Sequence, residues 1–163
     1  MRTASLLVLL IALFAAPVLA QESTPEPGID LPACSAEQLA EIDAMILEEA
    51  EALDTALHVP EGKSSLDLAD DVTIVQRRYW TWVILWRDDC AELYTRAYEF
   101  GRIVDEYSIA IGMGMASLYA LEQGDSDAAD RFADQLEKHL REAQRVIRTK
   151  LPELDMLVDE RYQ

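Results

Sequence analysis

The chain has 163 residues, with 31 Asp plus Glu against 14 Lys plus Arg, and so a formal charge of −17. Half of it is apolar, and it holds 6 Gly, 6 Pro and 2 Cys. Such acidity argues against nucleic acid or anionic lipid as a partner, because both demand a basic surface. Two Cys build neither a disulfide-dense scaffold nor an all-thiolate zinc site.

The first 20 residues contain 16 apolar ones and no acid. Arg2 supplies a positive start, and Leu6 to Ala16 is an unbroken apolar run of eleven. That run is short for a membrane span and right for the core of a secretory signal. Pro17 ends it, and Val18-Leu19-Ala20 predicts cleavage after Ala20. The mature chain is therefore expected outside the cytoplasm, secreted or periplasmic, with no membrane span after cleavage. Residues 21–33 hold Pro25, Pro27, Pro32, Gly28 and three acids without apolar periodicity, and read as a disordered acidic leader. Residues 34–163 read as one helical domain.

Ser35 to Gln38 fits a capping box that opens the first helix. Leu39, Ile42, Ile46, Ala50, Leu53 and Leu57 then step by three or four residues and form one apolar face. Pro60 and Gly62 place a loop over His58 to Ser65. From Val72 to Leu118 the same stepping continues, without Pro between Glu61 and Leu151. Breaks are expected at Asp88-Asp89 or Gly101, and the chosen division is a helix from Leu66 to Phe100 and another from Arg102 to Gln123. One unbroken helix is the alternative. Gly124 and Asp125 mark a turn. It resembles a tetratricopeptide-like helix pair over Leu118 to Phe132, and without a recurrence of that repeat it assigns no family. The fourth helix carries Ala129, Phe132, Leu136, Leu140, Ala143 and Ile147 on its inner face. Pro152 is expected at the start of a short last helix to Glu160. The fold class expected is all-α: an antiparallel four-helix bundle with a short C-terminal helix.

The cysteines act as a ruler. The mean of positions 34 and 90 is 62, inside the first loop. Residues equidistant from the turn of an antiparallel hairpin lie side by side, because both helices rise equally per residue. Cys34 and Cys90 are therefore expected to meet and, in an oxidising compartment, to bond.

Chemistry-bearing motifs are sparse. His58 and His139 lack the Glu three positions before them that a di-iron bundle needs, since Thr55 and Leu136 stand there. Haem would need His139 with Met45, Met113 or Met115, and no C-x-x-C-H tether exists. Asp125, Asp127 and Asp130 suit a helix start better than a calcium loop. No cofactor and no metal are expected.

Four features remain as candidate sites. In Tyr79 to Trp86, the side chains of Tyr79, Trp82 and Trp86 share one face while Trp80 and Ile84 lie off it. Trp80 and Ile84 form a candidate docking patch for a protein partner or a second copy. Trp82, Trp86 and Met113 form a candidate pocket for a small apolar ligand. Small residues at Gly112, Gly114 and Ala116 permit close helix approach. Lys138, Arg141, Arg145 and Arg148 form a candidate basic stripe on the fourth helix, expected to face the acidic first helix. Residues 21–71 carry 14 acids and the single base Lys63. Three functions follow: a non-catalytic module for protein interaction or self-association, a carrier of a small apolar ligand, or an enzyme with His139 as its acid–base group.

Overall fold

The computed structural model describes residues 31–58, 64–86 and 90–159. Residues 1–20, expected as a secretory signal, most of the expected leader, Gly62 of the expected loop, Asp88-Asp89 and Glu160 lie outside those residues. The four helices form an all-α bundle, as the stepping of apolar residues predicts.

Helix α1 spans Ala36–Leu57. Ser35 accepts from the Gln38 amide at 3.2 Å, and Gln38 accepts from the Ser35 amide at 2.7 Å. Ile42, Ile46, Ala50 and Leu53 are buried along one side. Helix α2 spans Ser65–Leu85 and opens on a second reciprocal cap, in which Asp67 pairs with Ser64. Aspartate replaces the usual Glu or Gln there, and the helix starts one residue before Leu66. Helix α1 packs on α2, α2 on α3 and α3 on α4.

The break falls between Leu85 and Cys90, and not at Gly101. After Cys90 the chain resumes as a helix, widens into a π turn over Leu93–Ala97, and runs on as α3, Tyr98–Glu122. Gly101 is fully inside α3 and buried. Its role is spatial: a Cβ there would stand 2.4 Å from Cζ2 of Trp80. Glycine lets that indole lie on the helix backbone. At the end of the π turn, the Ala97 carbonyl accepts from the buried Tyr79 hydroxyl.

At the far end of α3, Gly124 adopts φ 76°. Its amide donates to Leu121 and that of Asp125 to Ala120, which is the double closure of a Schellman turn. Asp125 then caps α4, Ser126–Lys150, by accepting from the Ala128 amide at 2.9 Å. The expected last helix is a single 3-10 turn, Asp155–Leu157. Leu151, Leu154 and Leu157 are buried at every third position. Three residues per turn is the 3-10 repeat, so the short segment keeps one apolar edge on the core. Pro152 lies in the preceding turn and does not begin a helix.

Cys34 and Cys90 are joined, with Cα atoms 4.9 Å apart. Cys90 sits beyond the end of α2 and not within it. The ruler still works: Cys90 lies beside Cys34 although it stands past the end of the helix. Two hydrogen bonds reinforce the joint: Ala91 N to Pro32 O at 2.9 Å, and Cys34 N to Glu92 Oε2 at 2.7 Å. Pro32, expected within a disordered leader, is thus tied to the domain.

Candidate functional site

An unequal set of helix lengths makes the site. Helices α3 and α4 each have 25 residues, against 22 and 21 for α1 and α2. Trp80 of α2 bonds Asp105 of α3, and Ser108 bonds Gln76, a register that carries α3 past Ser65 at the start of α2, and among the described residues no helix lies over part of the hairpin's apolar face. The result is a half-open cleft of about 920 Å³. That is the size of a small-molecule site.

The floor comes from α3, where Tyr107, Ala110, Ile111, Gly114, Met115 and Leu118 face the cleft. Leu136 and Leu140 of α4 form one wall. Leu57 and Leu68, from the end of α1 and the start of α2, form another. Met156, Leu157 and Val158 close the third side. Polar groups are few and marginal: Asp54, His58, Ser65, Ser117, Gln144 and Asp159. Exposure rises toward the hairpin tip, where Leu118 is 52 % and Leu121 56 % exposed. Leaving large apolar side chains in water is unfavourable by about 25 cal/mol per Å², so this surface gains on being covered.

The third wall is held by a buried amide. Gln144 is 1 % exposed and donates from Nε2 to the Tyr107 hydroxyl at 2.7 Å and to the Leu157 carbonyl at 2.9 Å. Its Oε1 accepts from the Asp159 amide at 3.0 Å. The Tyr107 hydroxyl also donates to the Leu157 carbonyl. An apolar residue at position 144 could pack equally well but could not hold the 157–159 segment in place. At the other margin, His58 Nδ1 lies 3.1 Å from Asp54 Oδ1.

The expected pocket of Trp82, Trp86 and Met113 is not this cleft: none of the three lines it. Trp82 and Trp86 meet edge to face at 4.9 Å near the disulfide end of α2, while the cleft lies at its beginning. Met115, two residues from Met113, faces the cleft instead. A two-residue shift on a helix turns a side chain by more than half the circumference.

The docking patch divides. Ile84 is 76 % exposed, with Leu85 beside it at 68 %. Trp80 is only partly exposed and is occupied internally. Its Nε1 donates to Asp105 Oδ1 at 2.9 Å, and its ring meets Tyr98 edge-on at 5.5 Å. Asp105 also accepts from Gln76. Trp80 thus joins α2 to α3 and does not form a surface with Ile84.

The basic stripe of Lys138, Arg141, Arg145 and Arg148 is exposed, and its ion pairs run along α4 rather than toward α1. Arg141 pairs with Glu137, and Arg145 with Glu142. The bond from Arg145 holds the Glu142 carboxyl below the usual carboxylate range, and Arg102 of α3 adds a contact to the same group. The cations that face α1 come from elsewhere: Arg96, 2.9 Å from Asp43 and also bonded to Glu153, and Arg78 of α2, bonded to Glu49. Periodicity revealed the stripe, but only the rotation of α4 decides which way it points.

His139 Nδ1 lies 2.6 Å from Glu106 Oε2, linking α4 to α3. Neither residue lines the cleft. Gly112 has open space where a Cβ would be, while one at Gly114 would come within 2.9 Å of Leu136 Cδ1. Close helix approach is therefore used at Gly114 alone of these two. Among the described residues, Cys34, Cys90 and Glu92 come together as potential metal ligands. The disulfide consumes both sulfurs, so no thiolate remains to bind.

Comparison with models of known protein families, with curated proteins and with solved structures finds no match. Among the described residues, no helix is long and apolar enough to cross a membrane.

Proposed function

We propose that this chain is an exported binding module whose α3–α4 cleft takes up a small apolar ligand. The observation that carries this reading is the cleft itself: about 920 Å³, floored by Ile111, Met115 and Leu118 and uncovered at its mouth. Export is supported by the secretory character of residues 1–20 and by the joined cysteines, which suit an oxidising compartment.

A neutral apolar fluorophore such as N-phenyl-1-naphthylamine tests the reading. The expected result is saturable uptake with brightened emission. Leu118→Lys, at a half-exposed position, weakens uptake by about tenfold through a charge placed at the mouth. Uptake that is absent, or indifferent to that change in a folded variant, overturns it. Fractionation and intact mass test export: the mature protein should begin at Gln21, and retention of Met1 in the cytoplasm would defeat that part.

A second reading is favoured by one observation. Ile84 and Leu85 stand exposed together at the end of α2, where a protein partner can dock. Ile84→Asp then abolishes association without affecting fluorophore uptake, and a monomeric elution profile with no partner captured removes this alternative.

A further inference from the structure

Resting on the ligand-binding reading, we propose that the ligand is a cationic amphiphile: an apolar chain or ring bearing a protonated amine. Charge is unevenly distributed around the cleft.

Four helix segments frame it. Residues 48–58 of α1 carry Glu48, Glu49, Glu51 and Asp54. Residues 65–71 of α2 carry Asp67, Asp70 and Asp71. Residues 107–118 of α3 carry no charge, and residues 126–136 of α4 carry Asp127, Asp130 and Asp134 with Arg131. Ten acids thus stand against one base. Glu49 among them is buried in a bond with Arg78. Nine of the ten described Lys and Arg residues lie outside these segments, from Arg77 to Lys150.

The helices run antiparallel, so this segregation is spatial. The disulfide end gathers Arg96, Arg102, Arg141, Arg145 and Arg148 among its acids, and the cleft end holds most of the net negative charge. Among the described residues lining the cleft, the ionisable groups at its rim are Asp54 with His58 beside it, and Asp159, with no Lys or Arg. An apolar floor beneath an acidic rim attracts a cation and repels a carboxylate or sulfate head. The low polarity of the floor strengthens that discrimination.

Isothermal titration of the full mature protein with decylammonium, decanol and decanoate, each below its micelle concentration, decides the matter. The chain is constant and only the head group changes. Decylammonium should bind about tenfold or more tighter than decanoate at low ionic strength, with decanol between them. The gap should shrink severalfold near 0.5 M salt, roughly, where charges beyond a few ångströms are screened. Asp54→Asn should weaken decylammonium about threefold and leave decanol unchanged. Decanoate binding as well as decylammonium overturns the inference while leaving the cleft a ligand site. Failure of all three probes to bind overturns both.

Discussion

Two side chains in this bundle show how much one atom decides. The Tyr79 hydroxyl is fully buried against the Ala97 carbonyl in the π turn. Burial pushes its ionisation well above the ordinary tyrosine range. Tyr79→Phe should cost about 1–2 kcal/mol near neutral pH, measured by urea unfolding, because a buried carbonyl loses its donor. The sign of the pH effect follows from the raised value. The contribution of the neutral phenol is complete below the unfolded tyrosine value of about 10 and is lost as pH rises above it. The gap between wild type and variant should therefore narrow in alkali. Gly101 is the second case. Gly101→Ala places a methyl against Cζ2 and Cη2 of Trp80, at 2.4 and 2.6 Å. Either the indole gives up its bond to Asp105 or α3 moves. A loss of about 1–3 kcal/mol is expected from overpacking, reduced by alanine's better helix propensity. In the Trp80→Phe background the same substitution should cost distinctly less, since the smaller ring lacks the clashing atoms. Equal costs in both backgrounds would show that the glycine is needed for some other reason.

Elements were legible in proportion to how local their causes are. The caps at Ser35 and Asp125, the Gly124 turn and the apolar faces of all four helices follow from residues within a turn or two of one another. The division of the long middle pattern was half legible: Asp88-Asp89 stood as one of two breaks, and Gly101 was the one chosen. Glycine is a poor helix former, which made Gly101 look like a stop, yet the contact with Trp80 that requires it comes from another helix. The π turn left no local trace either. The cysteine ruler succeeded because it uses only chain length and helix rise. Joining residues 56 apart in sequence should contribute about 4 kcal/mol on a chain-entropy estimate. Cys34→Ser with Cys90→Ser should therefore lower the urea midpoint markedly, and a reductant should reproduce the shift in the wild type. The hydrogen bonds from Ala91 and Cys34 nearby remain available after reduction, so the variant should stay helical by circular dichroism.

For the whole molecule, the site is a product of mismatch. No motif announces it, because Ile111, Met115, Leu118 and Leu136 read as ordinary inner-face residues. They are inner-face residues of a hairpin that outruns its cover. Comparing helix lengths would have exposed the overhang, and it needed the true break near Cys90 to be known. With the break placed at Gly101, the second helix looks long enough to cover everything, and the pocket is sought among the tryptophans instead. Charge was legible in one dimension only. The acid-rich first part of the chain was plain in the sequence, but the gathering of carboxylates at one end depends on antiparallel packing.

The Gln144 amide has a consequence for how the receptacle comes into being. Met156 to Asp159 leave the ribosome after the four described helices, and they are fastened by a side chain already committed to the core. A product stopped early, just past Leu154, keeps its four helices and its disulfide partners but has a gutter in place of a cup. The cup is complete only once residues 156–159 have been made and clipped home.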